Sequence, residues 1–213
     1  MIEYKYNLIE SICKYKRVLH IGASDSPFHN EKAVKGLLLH QKIERSAKKV
    51  VGLDIDKNAI SDLKKYNIRS IYFGDILTEK YAVDLKAEKF DVIVFADVIE
   101  HLDCPGNALK NIKKLMTKKT LLIITAPNVF NIRTLLTLLT GCETVHSDHV
   151  FWTSKKTIER LFKIHHFKII DFHYVQNGCY EDANIISKLF YYFTVISNMK
   201  YLRNTLYYVL QKS

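Results

Sequence analysis

Two rhythms of apolar and polar positions alternate along the chain. Short, nearly continuous apolar runs read as buried strands: "RVLHIG" (17–22), "KKVVGLDID" (48–56), "IRSIYFGD" (68–75), "FDVIVFAD" (90–97) and "KTLLIITAPN" (119–128). Between them lie stretches with helical spacing: "NEKAVKGLLLHQKIERSA" (30–47), "KNAISDLKKY" (57–66) and "PGNALKNIKKLM" (105–116), the last with Pro105 near its first turn, where a missing N–H costs little. Strands rich in Val, Ile and Leu that do not alternate belong to a parallel sheet covered on both faces. Right-handed crossovers then give a doubly wound α/β sheet.

After Asn128 the rhythm changes. "VFNIRTLLTLLT" predicts a helix that Gly141 ends, and the polar loop "CETVHSDHVFW" follows. "SKKTIERLFKIHH" starts at a Ser/Thr cap, "FKIIDFHYV" is a sixth strand, and "NTLYYVLQKS" a seventh and last. "ANIISKLFYYFTVISNM" places Ile186, Leu189, Phe190, Phe193 and Ile196 on one helical face. Repeats, low-complexity tracts and Pro/Gly linkers are absent, so residues 1–213 read as a single domain. It divides into an N-terminal helix (1–16), an acceptor-side insertion (129–152) and a C-terminal helix with the last strand (181–213).

Composition narrows the class. Apolar residues make up 48% of the 213, enough for a full core. Cys13, Cys104, Cys142 and Cys179 form no CxxC pair, which argues against a zinc ribbon or redox dithiol. The N-terminus has no signal-type run and no window is long enough to cross a bilayer, so the expectation is a reducing, cytoplasmic protein without a transmembrane segment. The net charge of +10 admits nucleic acid, an anionic membrane surface or an acidic substrate. With lysines scattered along the chain and no arginine cluster, the simplest reading is a solvated lysine-rich surface.

The candidate chemistry lies where strands end. Gly22 closes the first strand, with Ser24 and Ser26 at i+2 and i+4: a Gly-x-Gly-x-Gly frame with serines at two positions. Asp54, Asp75 and Asp97 end the next three strands and so arrive at one edge, where open α/β sheets bind ligands. Asp54 suits the two hydroxyls of a ribose, and Asp75 an adenine amino group. A dinucleotide pyrophosphate wants more glycines and unopposed positive charge. Carboxylates around the turn instead suit a cationic nucleoside without phosphates, a description that S-adenosylmethionine meets.

The run "VLHIGAS…VVGLDID…FGDI…FDVIVFADVIEHL…LLIITAPN" resembles the class I S-adenosylmethionine-dependent methyltransferases over roughly Arg17 to Val175. "LLLH" after the first turn and "ETVHSDHVFWTSKKTIERL" later are similar to small bacterial methyltransferases of surface-glycan assembly. The resemblance implies a Rossmann-like seven-stranded sheet, mostly parallel, whose antiparallel last strand lies beside the sixth. It implies S-adenosylmethionine as cofactor, with Gly22, Ala23 and Ser24 in the turn, Asp54 and Asp75 on the nucleoside, and Ala96 and Asp97 along the methionine part; Ile55 and Ile76 complete the set. His20 stands where that family often has an acid.

Methyl transfer to a hydroxyl also needs a proton acceptor. "DVIEHLD" offers Glu100 and His101 just beyond the fourth strand, and "HSDHVFW" offers His146, Asp148 and His149. His101, Glu100 and His149 are therefore the catalytic candidates, with Phe151 and Trp152 as a wall for the acceptor. A small-molecule acceptor, a sugar-derived hydroxyl of a glycan precursor in polysaccharide biosynthesis, is the leading expectation. Two rivals remain. In one, the chain is a metal-assisted RNA 2′-O-methyltransferase: Asp97, Glu100, His101 and His149 form a mixed oxygen/nitrogen shell for a divalent metal, and the acid-x-x-Glu-His stretch resembles that of methyltransferases of small-RNA 3′ ends. In the other, the chain is a non-catalytic nucleoside-binding module.

Overall fold

The computed structural model describes residues 5–176, 189, 192–193 and 199–213. Helix α1 (Lys5–Cys13) leads into β1 (Arg17–Ile21); α2 (His29–Val34) and α3 (Leu39–Ser46) follow, then β2 (Lys49–Asp54), α4 (Lys57–Leu63) and β3 (Ile71–Asp75). After β4 (Lys80–Tyr81) come β5 (Val92–Ala96), α5 (Pro105–Leu115), β6 (Leu121–Pro127), α6 (Ile132–Leu139), α7 (Lys155–Ile164), β7 (Phe167–Val175) and β8 (Thr205–Lys212). The sheet order is β4-β3-β2-β1-β5-β6-β8-β7. Strands β3, β2, β1, β5 and β6 are parallel neighbours, and β8 pairs antiparallel with both β6 and β7.

Three expectations change. Among the described residues the sheet has eight strands rather than seven, because the two-residue β4 pairs antiparallel with β3, too short to carry any period. The single helix expected over 30–47 is two helices, since Gly36 takes a φ of 65° that a continuing helix forbids. The last strand does lie antiparallel beside the sixth, but it also separates it from β6. Its run TLYYVL is buried throughout, as an internal strand must be. The helix expected over 183–199 falls almost wholly outside the described residues.

Alternating strand residues feed opposite layers. Leu19, Leu53, Ile93, Phe95 and Ile124 pack on one side with Leu109 and Ile112 of α5 and Phe162 of α7. Val18, Val92, Val94 and Ile123 pack on the other with Ile9 and Cys13 of α1 and Leu39 and Ile43 of α3. Burial of this apolar surface, at roughly 25 cal/mol per Å², fixes the strands. The strand tips, and the loops they carry, are held in register as a result. No helix of the described residues is long and apolar enough to cross a membrane.

Candidate functional site

A cavity of about 600 Å³ opens at the carboxyl ends of β1, β2 and β5, within the size range of small-ligand sites. Its first wall is the turn after β1. Gly22 has a φ of 75°, and a Cβ there would lie 2.3 Å from Val98 Cγ2. Only glycine fits, both for conformation and for space. The turn is tied to the next strand: Gly22 N and Ala23 N both donate to Leu53 O at 2.9 and 3.0 Å, and Ser24 N donates to Asp54 Oδ2 at 2.8 Å. Those amides are therefore spent within the protein and hold no phosphate. Asp54 Oδ1 also accepts from Asp56 N at 2.9 Å, which sets the carboxylate at the tip of β2.

Of the residues expected on the cofactor, Gly22, Ala23, Ser24, Asp54, Ile55, Ala96 and Asp97 line the cavity. Ile55 is 68% exposed at its rim. Asp75 and Ile76 are not in the wall. Asp75 accepts from Leu77 N and Thr78 Oγ1 at 2.8 and 2.7 Å, capping its own turn, while the Ile76 side chain is spent in the core. Phe151 and Trp152 are outside it too, and Trp152 Nε1 donates to Glu143 Oε1 at 2.7 Å.

His20 also lines the cavity, and its protonation follows from a chain of bonds. Ser70 Oγ donates to Glu44 Oε1 at 2.7 Å, so it must accept from His40 Nε2 at 2.8 Å. His40 Nδ1 is then an acceptor, and His20 Nδ1 donates to it at 3.3 Å. Burial drives both rings toward the neutral form: His20 lies well below the ordinary value, helped by His40, and His40 falls to about 4. At the position of His20 the pocket therefore presents an uncharged imidazole.

The opposite wall is built after β5. Asp97 holds a φ of 51°, its amide donating to Thr125 O at 3.0 Å and its carboxylate accepting from Thr125 Oγ1 at 2.7 Å. Lys5 of α1, itself buried, forms an ion pair with the other oxygen. Burial pushes the Asp97 carboxyl up, but the Lys5 charge and the hydrogen bonds from Lys5 and Thr125 outweigh it and hold it low. Three residues on, Glu100 goes the other way: burial and the Asp97 charge raise its pKa well above the carboxylate range, so it is a neutral acid. Its Oε2 is buried without a partner, as is Ser24 Oγ on the facing wall.

His101 lies beside Glu100 in a 3-10 turn, and the loop after α6 brings His146 and His149 against it. Ring centroids are 4.8 Å apart for His101–His149 and 5.3 Å for His146–His149. Val150 N donates to Glu100 O at 3.0 Å and pins the loop. His101 Nδ1 donates to Asp148 O at 3.1 Å, which leaves Nε2 as the nitrogen not engaged by that bond. Burial, then the neighbouring His101 and His146, lower His149. Ligand atoms of Glu100, His101 and His149 all fall within 4.8 Å of one another. Asp97 is not part of this cluster, being held by Lys5 and Thr125. Glu100, His101 and His149 thus meet on one cavity wall although 48 positions separate His101 from His149.

Lys5's neighbour Tyr6 and Lys32 are among the lining residues that sequence reasoning missed, and it also missed Lys5, which pairs with Asp97 behind the wall. A signal existed for Lys5: with Ile9 and Cys13 it forms the buried i, i+4, i+8 stripe of α1, and a lysine on such a stripe demands an anion.

The two orphaned polar atoms and the carboxylate at β2 fit a polar nucleoside ligand in this cavity. A methyltransferase domain family matches residues 14–171. A comparison with curated protein sequences finds no match. Among solved structures, a SAM dependent methyltransferase from Archaeoglobus fulgidus is similar at 15% identity over 98% of this chain and 95% of that one, with a TM-score of 0.58. The N-methyltransferase NodS from Bradyrhizobium japonicum WM9, in complex with S-adenosyl-L-homocysteine, is similar at 15% over 98% and 85%, with a TM-score of 0.57. The small RNA methyltransferase HEN1 is similar at 16% over 97% of this chain but only 24% of that one, with a TM-score of 0.59. These likenesses carry the fold, the family match carries the assignment, and together with the cavity they identify the chain as a member of the methyltransferase domain family, an S-adenosylmethionine-dependent enzyme of class I fold.

Proposed function

We propose that the chain transfers the methyl group of S-adenosylmethionine to a hydroxyl of a small sugar-derived acceptor, a step in building a glycan. The observation that supports this reading best is the tie of His101 Nδ1 to Asp148 O at 3.1 Å, which turns Nε2 to the cavity as the nitrogen that can take a proton. Asp54 takes the ribose hydroxyls. Ile55 covers one face of the adenine, whose amino group is assigned to the Asp75 carboxylate at the tip of β3. Gly22, Ala23 and Ser24 border the methionine part with Ala96 and Asp97, and the turn offers carbonyls and a hydroxyl, not free amides, to its ammonium group.

In the reaction the C–O bond forms as the C–S bond breaks, and the hydroxyl proton passes to His101 Nε2. Neutral Glu100 keeps an unpartnered Oε2 on the same wall, available to the acceptor, and the chain's main task is to align the acceptor and exclude water. Calorimetry with S-adenosyl-L-homocysteine tests the cofactor half: tight binding that Asp54→Ala abolishes is expected. Transfer of a labelled methyl group across a panel of sugar acceptors tests the other half. His101→Gln should lower the rate about 10²–10⁴-fold while cofactor affinity stays put. No turnover on any hydroxyl acceptor would sink the reading.

The cluster of Glu100, His101 and His149 favours a second reading, a divalent ion held by one carboxylate and two imidazoles and used on an RNA hydroxyl. Binding of Mn²⁺ that His149→Ala removes, together with activity lost on chelation, would replace the first reading with this one.

A further inference from the structure

The lysines that look scattered along the sequence are gathered in space. The connections at the amino ends of the strands are residues 13–17, 46–49, 67–70, 83–91, 115–120, 163–168 and 212–213. They carry thirteen lysines and arginines against three acids, Asp84, Glu88 and Asp91, which accounts for the whole formal charge of +10. The rest of the chain is balanced, and the cofactor cavity with its carboxylates opens at the other end. The strands separate the two ends by roughly 16 Å, five residues at about 3.3 Å each.

Two depressions on this face concentrate the charge. One, of about 520 Å³, is walled by Lys110, Lys113, Lys114, His165, His166 and Lys212. The other, of about 390 Å³, is walled mainly by Arg17, Lys89, Asp91, Lys118 and Lys119. The first lacks a carboxylate in its wall, and its cations repel each other: burial, then Lys110, Lys113 and His166, lower His165, and burial with Lys212 lowers Lys113. Part of the charge is answered, by Glu79 on Lys114, Asp91 on Arg17 and Glu88 on Lys49. Lys14, Lys16, Lys48, Lys118, Lys119 and Lys163 are exposed on the same face.

We propose that the amino end of the sheet is a docking surface for an anionic lipid bilayer, which leaves the methyl-transfer cavity facing water. The chemistry of the face favours a bilayer over nucleic acid. Eleven of its thirteen cations are lysine, a hydrated point charge that answers a diffuse anionic plane, and one of its two arginines is already engaged by Asp91. Nucleic-acid platforms interleave aromatics for base stacking, yet among the described residues of these connections Tyr15 is the one exposed Phe, Tyr or Trp. Tyr15, 75% exposed, and Ile164, 52% exposed, project at this end beside Lys14, Lys16 and Lys163, as side chains seated among headgroups do.

The test is co-sedimentation of the full chain with vesicles of phosphatidylglycerol and phosphatidylcholine, and with vesicles of phosphatidylcholine alone. Binding to the first, none to the second, and release by raised salt are expected. Each exposed lysine near the surface is worth about fivefold in partition, so Lys118→Ala with Lys119→Ala should weaken binding roughly 25-fold. Lys57→Ala with Lys80→Ala, at the other end of the sheet, should leave it unchanged. Absence of binding to the anionic vesicles, or equal losses in the two double variants, overturns the proposal. So does tighter binding to mixed-sequence RNA than to the vesicles at the same salt, which would make the face a nucleic-acid surface.

Discussion

The two walls of the cavity are built by different means. The β1–β2 wall is main chain: Gly22, Ala23 and Ser24 hand their amides to Leu53 and Asp54, and Asp54 is set in place by the amides of Ser24 and Asp56. The β5 wall is side chain: Asp97 backed by Lys5 of α1, Glu100 and His101 from the turn after β5, and His146 and His149 from a loop some fifty residues on. The first wall has one geometry because backbone bonding gives it one. The second has its character set by burial, which leaves Asp97 charged and Glu100 neutral three residues apart. A fixed first wall can therefore be kept while the second is retuned by single substitutions.

The largest effect comes where the two walls touch. Gly22→Ala would put a Cβ 2.3 Å from Val98 Cγ2 at a φ of 75°. Strain and overpacking together should cost roughly 2–5 kcal/mol, read as a fall in the urea midpoint. Displacing the turn by an ångström should cost about a hundredfold in methyl-transfer rate, with weaker cofactor binding by calorimetry. A fully stable variant with native affinity would mean the walls are not coupled through this contact.

Next is the neutral histidine pair behind the first wall. His40 sits at about 4 when folded and at the ordinary 6.5 when unfolded. Between those values the unfolded chain binds the extra proton, so stability is full above pH 6.5 and falls as pH drops toward 4. For His40 alone the loss is about 3 kcal/mol over that window. Urea titrations at several pH values should show it, and His40→Gln should flatten the dependence.

The contrast also explains what could be read from the chain before its structure. The strands, Asp54 and Asp97 were legible because continuous Val/Ile/Leu runs fix where strands end, and strand ends fix where their last acids lie. The meeting of Glu100 and His101 with His149 was legible only as a list of residue types, since no periodicity connects segments so far apart. Lys5 escaped because a lysine among tyrosines reads as surface; its burial depends on Asp97, 92 positions away. The pile-up of positive charge at one end escaped for the same reason: each connection contributes only a few cations, and topology brings them together. Asp75 is a different case: its position at a strand tip suggests a ligand role, while Leu77 N and Thr78 Oγ1 already bond it within its own turn.

A smaller effect is expected at Lys5. Lys5→Met leaves Asp97 without its countercharge, at a cost near 3–5 kcal/mol for a fully buried pair. With 38% of the Asp97 side chain exposed, water screens much of this, and about 1–2 kcal/mol remains. The carboxyl is held low when folded, so the pair stabilises above the unfolded value of about 3.9 and the benefit fades as pH falls below it. Native acid-unfolding behaviour in Lys5→Met would show that Thr125 alone keeps Asp97 ionised.

The smallest expected effect discriminates most. Glu100 is buried, its Oε2 has no partner, and burial with the Asp97 charge keeps it protonated. Glutamine has nearly the same shape, carries no charge and still donates. Glu100→Gln should therefore change stability by no more than about 0.5 kcal/mol and leave methyl transfer near the native rate, because nothing ionic is lost. Glu100→Asp, which shortens the side chain and opens a gap of one methylene, should cost about 1 kcal/mol, more than the nominally larger chemical change. The order reverses if the wall holds a divalent ion. A metal would draw the proton off Glu100 and bind the carboxylate, so Gln would abolish ion binding and activity together while Asp retained part of both. Thermal melts, Mn²⁺ titration and turnover of the two variants side by side thus decide whether the second wall works by neutral hydrogen bonding or by coordination.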